Sequence, residues 1–326
     1  MSQTKLKLAI GLGATCSGCD MAIVDLAEKL TDLLKAFEIV FWPTASDQKL
    51  EELQQLPDGS IDLCLYHGSI ANEENKEIAQ LLRKKAKTVI AFGACACHGG
   101  VPGLANLTTT KQLLATVYKE TPSSDNPDSK EPIPETTVSD YSLHLPRKFD
   151  TVQCLHDYVD VDYFLPGCPP ETALVDKAVE AILEGKLPQK GATLAPNRIL
   201  CDECQRKRQE KKIPKIHRIS NTIPDQEKCF LDQGIICLGP ATRMGCGAKC
   251  ITVNMPCRGC MGPTSKAIDQ GAKMIASLGS VLGLEGEEQM SEEQVKTLID
   301  EIEDPVGTFY MFTLPSSILN RKALKK

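Results

Sequence analysis

KLKLAIGLGATCSGCDMAIVDLAEKLTDLLKAF, residues 5–37, joins a short apolar run to a longer segment with helical spacing. Residues 5–13 have the continuous apolar character of a strand that is buried on both faces of a sheet. Residues 19–37 carry apolar side chains three and four positions apart, which predicts an amphipathic helix. A strand followed by a helix is the repeating unit of a parallel sheet covered by helices on both faces.

The same alternation continues to about residue 190, so we predict an α/β fold. Further buried strands are predicted at residues 37–43, 61–68, 87–93 and 161–167. Further helices are predicted at residues 72–86, 108–120 and 169–185. Residues 120–150 are rich in Pro, Ser and Asp, and we expect them to form a long, partly mobile surface loop.

The pattern changes after residue 192. Eight cysteines fall between residues 201 and 260, with little continuous helix or strand around them. We therefore predict two domains, residues 1–192 and residues 193–326, the second being an irregular domain of loops and short helices. Helices predicted at 265–280 and 291–303 are expected to pack back on this second domain.

The composition excludes some classes of protein. The chain has 326 residues, of which 42% are hydrophobic and 25% are charged, as in ordinary globular proteins. Its formal net charge of −6 argues against a nucleic-acid-binding protein, which needs a basic surface. One basic run, RKRQEKK at 206–212, is interpreted as a solvated helical face. A docking surface for an acidic partner is the alternative.

The cysteine content points to metal or redox chemistry. No window approaches a membrane-spanning apolar run and the N-terminal residues do not resemble an export signal, so a soluble, cytoplasmic protein is expected. Cytosolic proteins rarely keep disulfides, and the chain has 15 cysteines, an odd number. Thiols that are not paired in disulfides are available to bind metal.

Several cysteines of the first domain lie just past the ends of predicted strands. Cys16 and Cys19 follow the first strand, Cys95 follows residues 87–93, and Cys168 follows the last strand. The carboxyl ends of parallel strands meet at one edge of a sheet, so these thiols are expected to converge. Cys97 lies two positions from Cys95, and in an extended loop their side chains would point to opposite sides.

The remaining cysteines of the second domain are enough for two four-ligand sites. They are Cys201, Cys204, Cys229, Cys237, Cys246, Cys250, Cys257 and Cys260. Two zinc sites are the main alternative on spacing alone, and a lone CxxC also fits a redox dithiol. Iron–sulfur clusters are favoured because the surroundings are rich in Gly, Pro and small apolar residues, which suit buried sulfur with N–H donors.

Five motifs together resemble the small, electron-transferring subunit of nickel–iron hydrogenases. They are CSGCD, GACACHGG, PGCPP, CLGPATRMGC and MPCRGC. The resemblance implies a flavodoxin-like domain that holds the cluster nearest a nickel–iron centre, which itself lies in a separate large subunit. It also implies a second domain with a medial and a distal cluster, and hence three 4Fe-4S clusters in all.

The resemblance, carried over motif by motif, places nine of these thiols, and we complete its medial set with Cys250 and its distal set with Cys201 and Cys229, which gives three sets. The proximal set is Cys16, Cys19, Cys95 and Cys168; the medial set is Cys246, Cys250, Cys257 and Cys260; the distal set is Cys201, Cys204, Cys229 and Cys237. Many relatives have a His where Cys201 stands and a Pro near Cys250. An alternative gives Cys250 to the distal set and leaves Cys229 spare. Cys64, Cys97 and Cys154 are expected to be dispensable for cluster binding.

At Cys201 and Cys250 the sequence departs from those relatives. In this respect it resembles the cytoplasmic subgroup that includes the methyl-viologen-reducing hydrogenases. The resemblance implies that electrons from hydrogen oxidation leave to a ferredoxin- or flavin-type partner linked to heterodisulfide reductase. A close relative reduces a deazaflavin coenzyme, and the motifs do not separate the two. The related quinone-reductase subunit shares only the first domain.

Two functions of other classes remain open at this point. One is a zinc-stabilised scaffold with no redox role, and the other is a free-standing ferredoxin-like carrier. No side chain offers a nucleophile or an acid–base pair for substrate chemistry, so no catalytic residue is assigned. The five histidines are scattered, and only His98, beside Cys97, is a candidate for contact with a cluster sulfur or a partner.

Overall fold

The structure is a computed structural model that describes residues 5–209, 212–283 and 291–320. The strands in this part of the chain are β1 (Leu6–Leu12), β2 (Phe37–Phe41), β3 (Ile61–His67), β4 (Ile70–Asn72), β5 (Ala86–Phe92), β6 (Glu135–Val138), β7 (Tyr141–His144), β8 (Lys148–Gln153) and β9 (Tyr163–Leu165). The α-helices are α1 (Gly18–Val24), α2 (Glu28–Ala36), α3 (Leu50–Gln55), α4 (Glu73–Lys85), α5 (Gly93–His98), α6 (Thr110–Ala115), α7 (Thr172–Leu183), α8 (Lys249–Thr252), α9 (Gln270–Gly279), α10 (Glu292–Asp300) and α11 (Pro305–Phe309).

Five strands form a parallel sheet in the order β2-β1-β3-β5-β9. Counted along the chain, this is the order 2-1-3-4-5 of flavodoxin-like folds. The predicted α/β class with a flavodoxin-like sheet is therefore confirmed. All five predicted strands are present, with ends that differ by a few residues from those expected.

The sheet is buried on both faces because its strands are apolar at consecutive positions. One row of side chains runs across four strands from Ile10 through Leu65 and Ile90 to Tyr163, and it packs against α1, α2 and α7. The alternate positions, including Tyr66, pack against α4 on the other face. Each strand therefore supplies both cores through its two-residue alternation.

The predicted helix over 19–37 is wrong in one respect, because the structure has two short helices there. Ala27 separates α1 from α2 with a φ of 52°, outside the helical region. The apolar spacing continues through the break, so periodicity alone gives no sign of it. The first part, α1, carries Cys19 and is held separately from α2.

Residues 120–150 contain more structure than the predicted loop. β6 and β7 form an exposed antiparallel hairpin, and β8 pairs with β4. The pairs within the hairpin, such as Thr136 with Leu143, leave its side chains in solvent. A hydrophobic pattern cannot identify such a hairpin because neither face is buried.

The cysteine-rich part is built from short turns around an apolar core of its own. This core joins Leu200, Phe230 and Ile251 to Met274 of α9 and Phe309 of α11. The helix predicted within the basic run 206–212 is wrong, since its described residues are not helical and Lys207 forms a β-bridge with Lys228. No helix in the described ranges has the length and apolar character needed to cross a bilayer.

Candidate metal centres

The four thiols of the proximal set lie at the carboxyl end of the sheet. Cys16 lies between β1 and α1, and Cys19 is in the first turn of α1. Cys95 is in α5, directly after β5, and Cys168 follows β9. The topology therefore brings together residues that are far apart in the sequence, at the edge where ligands bind in open parallel sheets.

These four thiols are close enough to affect one another electrostatically. Burial raises the pKa of the Cys19 thiol, and the neighbouring Cys95, Cys168 and Cys16 raise it further. Burial also raises the pKa of Cys95 to about 12, with Cys168 and Cys16 contributing in the same direction. Four crowded thiolates need a compensating cation, and bound metal supplies that charge and deprotonates the thiols.

Glycines leave the space that surrounds these sulfurs. A Cβ on Gly93 would lie 2.4 Å from the Cys19 sulfur, and a Cβ on Gly100 would lie 2.4 Å from the Cys95 sulfur. Both glycines have positive φ, at 87° and 59°, which other residues rarely adopt. The glycines of the FGACACHGG motif thus serve both the backbone path and the clearance around sulfur.

The Cys97 sulfur packs against β5, although Cys19 and Cys95 of the proximal set still act on its thiol electrostatically. The segment around it is the helix α5 and not the extended loop we expected, and residues two apart on a helix point about 200° apart. The Cys97 sulfur lies 3.2 Å from the Ala91 carbonyl oxygen, and its side chain is 1% exposed. Cys64 is likewise fully buried, in β3, as its apolar strand predicts.

The four thiols of the distal set line one small pocket. Cys201, Cys204, Cys229 and Cys237 share this pocket with Phe230, Leu231, Ile251 and the side chains of Arg206 and Arg208. A Cβ on Gly239 would lie 3.2 Å from the Cys201 sulfur and 3.7 Å from the Cys237 sulfur. The absence of a side chain at this glycine keeps the space between the sulfurs open.

Backbone N–H groups point at the distal sulfurs. The pKa of Cys229 is raised by burial, and the N–H groups of Leu231 and Asp232 oppose that effect. Burial raises the pKa of Cys237 to about 11, against the N–H groups of Gly239 and Cys257. N–H donors of this kind stabilise anionic sulfur and set the potential of iron–sulfur centres.

The medial set is only partly separate from its neighbours. Burial raises the pKa of Cys260 to about 12, with Cys246, then Cys168 of the proximal set and then Cys250 acting in the same direction. Cys257 lies between two sets, because burial raises the pKa of its thiol and Cys237 of the distal set adds to that effect, as does Cys260. The structure places Cys250 beside medial thiols, while Cys229 lies with the distal ones.

Two backbone N–H groups connect the sets in series. The N–H of Cys168, in the proximal set, points at the sulfur of Cys260 in the medial set. The N–H of Cys257, in the medial set, lies 3.3 Å from the sulfur of Cys237 in the distal set. These contacts link one residue of the proximal set to one of the medial set, and one of the medial set to one of the distal set.

A buried polar network supports the proximal set, and sequence reasoning missed it. The Asp20 Oδ1 atom accepts hydrogen bonds from the indole N–H of Trp42 at 2.7 Å and the Thr44 hydroxyl at 2.9 Å, and it lies 3.1 Å from His67 Nε2. Burial acts to raise the pKa of Asp20, but these hydrogen bonds outweigh it and hold that pKa below its ordinary value. The sequence signal for this network was Asp20, an acidic residue directly after Cys19 of the CxxC motif.

His98 lies at the junction between the sheet and the cysteine-rich part. A Cβ on Gly262 would lie 2.2 Å from its Nε2 atom, so the histidine packs directly against that glycine. Burial, together with His156 and Arg243, lowers the pKa of His98 to about 4. A neutral imidazole packed in this way fits a structural role better than contact with a cluster sulfur or with a partner protein.

Cys154 directly follows β8 and is fully buried. Within the described residues it forms, with His156 and Asp157, a group whose ligand atoms lie within reach of a single ion. The Asp157 carboxylate accepts the Cys154 N–H at 2.8 Å, which closes the turn at residues 155–157. Turn capping accounts for the closeness of the Cys154 and Asp157 side chains.

Soft donors, crowding and N–H groups make all three sets suitable for iron–sulfur clusters. The four proximal thiols lie close together, the four distal thiols share one pocket, and Cys257 of the medial set lies between Cys260 and the distal Cys237. Glycines leave room beside the sulfurs of the proximal and distal sets. Cys thiolates are the ordinary ligands of such clusters. The residues present therefore fit the group that the resemblance implies.

Comparison with known proteins identifies related chains. Residues 16–182 match the family model described as NADH ubiquinone oxidoreductase, 20 Kd subunit. The iron-sulfur subunit of the F420-non-reducing hydrogenase of Archaeoglobus profundus is 40% identical over 328 residues, covering 98% of this chain and 99% of that protein. A subunit of the F420-non-reducing hydrogenase vhu of Methanocaldococcus jannaschii is 39% identical over 308 residues, covering 94% of each chain.

A solved structure shares the fold. The [NiFeSe] hydrogenase of Desulfovibrio vulgaris Hildenborough superposes with a TM-score of 0.50 at 18% identity. The match covers 80% of this chain and 95% of that chain. At this level of identity the likeness concerns the fold alone. It extends beyond the family-model match, which ends at residue 182.

Proposed function

This chain belongs to the family of the NADH ubiquinone oxidoreductase 20 Kd subunit and, within it, to the hydrogenase small subunits, and on that premise we propose that it carries electrons out of a hydrogenase complex. It is accordingly a part of an oxidoreductase complex. Hydrogen would be oxidised at a nickel–iron centre in a separate large subunit, which is the partner we propose for this chain. The observation that carries the proposal is the serial arrangement of three thiol sets, joined by the N–H groups of Cys168 and Cys257.

The cofactors we propose are three 4Fe-4S clusters, held by the proximal, medial and distal sets. When bound, such clusters supply one-electron carriers whose potentials depend on burial and hydrogen bonding to sulfur. The chain's own residues exclude water from Cys19, Cys237 and Cys257, each less than 9% exposed. Their N–H groups stabilise the negative charge on sulfur. The proximity of Cys250 to Cys246 and Cys260 supports its place in the medial set.

For the electron acceptor, we propose a ferredoxin- or flavin-type subunit linked to heterodisulfide reductase, in the cytoplasm. The related proteins are named F420-non-reducing hydrogenases, and F420 is a deazaflavin coenzyme. Those names favour this acceptor over the deazaflavin-reducing alternative. A role in methanogen-type energy metabolism is proposed on the same grounds.

The test is hydrogen-dependent reduction of the chain within its native complex. The complex would be isolated anaerobically through an affinity tag on this chain, and its subunits identified by mass spectrometry. We expect a large subunit with nickel to co-purify and the brown absorbance to bleach under hydrogen. A colourless protein with stoichiometric zinc would support the scaffold alternative. A brown chain that purifies alone would support the free-standing carrier.

A further inference from the structure

Arg208 is an exposed side chain at the pocket of the distal set. It lines the same pocket as Cys201, Cys204, Cys229 and Cys237. In the described part of the chain it makes no hydrogen bond and no ion pair with a carboxylate. An exposed arginine without a carboxylate partner among the described residues contributes little to the stability of the fold, so the contacts described here do not explain its position.

The backbone on both sides of Arg208 is held in place. The Lys207 N–H donates to the Glu227 carbonyl at 2.7 Å, and the Cys229 N–H donates to the Lys207 carbonyl at 2.8 Å. On the other side, the Gln209 N–H donates to Asp232 Oδ2 at 2.5 Å. Arg208 is therefore presented from a fixed position beside the pocket.

The other cations of this loop are already engaged. Arg206 lies 3.9 Å above the Phe230 ring and donates to the Asp225 and Lys228 carbonyls at 2.6 and 2.9 Å. The Lys207 ammonium pairs with Glu227 at 3.1 Å. Arg208 is the member of the Arg206–Arg208 run that is left for an external group.

Exposed apolar side chains adjoin the same loop. Arg206 donates to Asn254 Oδ1 at 2.6 Å, and Asn254 donates to the Pro224 carbonyl at 3.1 Å. These bonds hold the loop beside the segments that carry Ile223, which is 93% exposed, and Val253, which is 71% exposed. Apolar contacts beside a charged rim are the usual composition of a protein–protein interface.

The charge of Arg208 also reaches the thiols of the pocket. Arg208 lines one small pocket together with Cys201 and Cys229, so its guanidinium and their sulfurs are neighbours. A group that binds Arg208 from outside is therefore brought next to the distal set, where Cys201 is itself exposed.

We infer that Arg208 is the docking contact for an electron-accepting protein that presents carboxylates around its own redox centre. Arginine binds a carboxylate through two parallel N–H···O bonds, which fix orientation as well as distance. The whole chain has a net charge of −6, so an acidic partner is repelled elsewhere and attracted at this place. This inference rests on the proposed function, because it assumes that electrons leave from the distal set.

The test compares two electron acceptors of opposite charge. The isolated complex is assayed for hydrogen-dependent reduction of an acidic 2[4Fe-4S] ferredoxin and of methyl viologen, a small dication. In Arg208→Gln we expect the second-order rate with ferredoxin to fall about fivefold at low ionic strength, with a larger fall in Arg208→Glu. The loss should disappear at high salt, and the viologen rate should be unchanged or higher.

Lys207→Gln is the matched control, since it removes the same charge from the neighbouring position but breaks an existing ion pair. We expect less than a twofold change with either acceptor. An equal loss in Lys207→Gln and Arg208→Gln would overturn the assignment to Arg208, and so would an equal loss with both acceptors. The assignment would also be overturned if the complex without substitutions reduced methyl viologen but not ferredoxin. If the complex without substitutions reduces neither acceptor, the proposed function itself is refuted.

Discussion

Replacing Asp20 by alanine tests whether the buried network positions the proximal set. Asp20 is 6% exposed and accepts from Trp42 and Thr44 through one carboxylate oxygen, with His67 beside it. Alanine leaves the Trp42 indole N–H and the fully buried His67 ring without this acceptor. A buried donor that loses its partner costs more than the hydrogen bond contributed.

The expected loss is about 4 kcal/mol. Breaking a buried, hydrogen-bonded charged group costs about 3–5 kcal/mol, and the three contacts do not add because they share one oxygen. With an unfolding entropy of about 2.1 cal/mol/K per residue, a loss of this size lowers the Tm of the chain by about 6 °C. Asp20→Asn keeps one acceptor oxygen, so about half of that shift is expected.

The assay is the temperature at which the visible absorbance of the anaerobic complex is half lost. Asp32→Asn is the control, because that carboxylate pairs with Lys35 on an exposed helix face and should leave the Tm unchanged. The alanine variant should also alter the electron paramagnetic resonance of the proximal set and leave the distal signals intact. A fall in Tm of less than about 2 °C in Asp20→Ala would show that the network does not hold α1, and with it Cys19 of the proximal set, in position.

The remaining predictions concern the ligand sets. Cys250→Pro, in the first turn of α8 where proline is tolerated, should produce a new three-iron signal at low temperature; damage to the distal signals alone would give Cys250 to the distal set. Cys95→Ser should abolish the proximal signals and Cys97→Ser should keep them, and the opposite result would reverse the assignment. Gly239→Ala should disturb the distal signals because its Cβ meets the Cys201 sulfur at 3.2 Å, whereas Gly279→Ala, with open space around its Cβ, should leave them unchanged. An intact distal spectrum in Gly239→Ala would contradict the packing described here.

The sheet could be predicted from the sequence because its strands are buried on both faces. Such strands are continuous apolar runs, and cysteines placed directly after them must meet at one edge. The convergence of the thiols that follow β1, β5 and β9 follows from this rule, whereas the choice of Cys95 over Cys97 needed the resemblance. Assigning the eight later thiols to two sites needed the resemblance, since their short turns have no periodicity.

Other features depend on tertiary contacts that a pattern does not record. The break at Ala27 lies inside an unbroken apolar spacing, and α5 is a six-residue helix that begins with a glycine. The basic run has helical composition, but Arg206 stacks on Phe230 and Lys207 bridges to Lys228, which holds the segment extended. Long-range contacts of this kind outweigh weak local propensity.

Iron and acid-labile sulfide analysis of the anaerobically isolated complex tests the central claim most directly. Twelve thiols in three sets predict about twelve irons and twelve sulfides bound to this chain, after subtraction of the iron in the other subunits. Mössbauer spectra should assign this iron to 4Fe-4S clusters. About eight irons for this chain, or zinc in place of iron in the cysteine-rich part, would contradict the account.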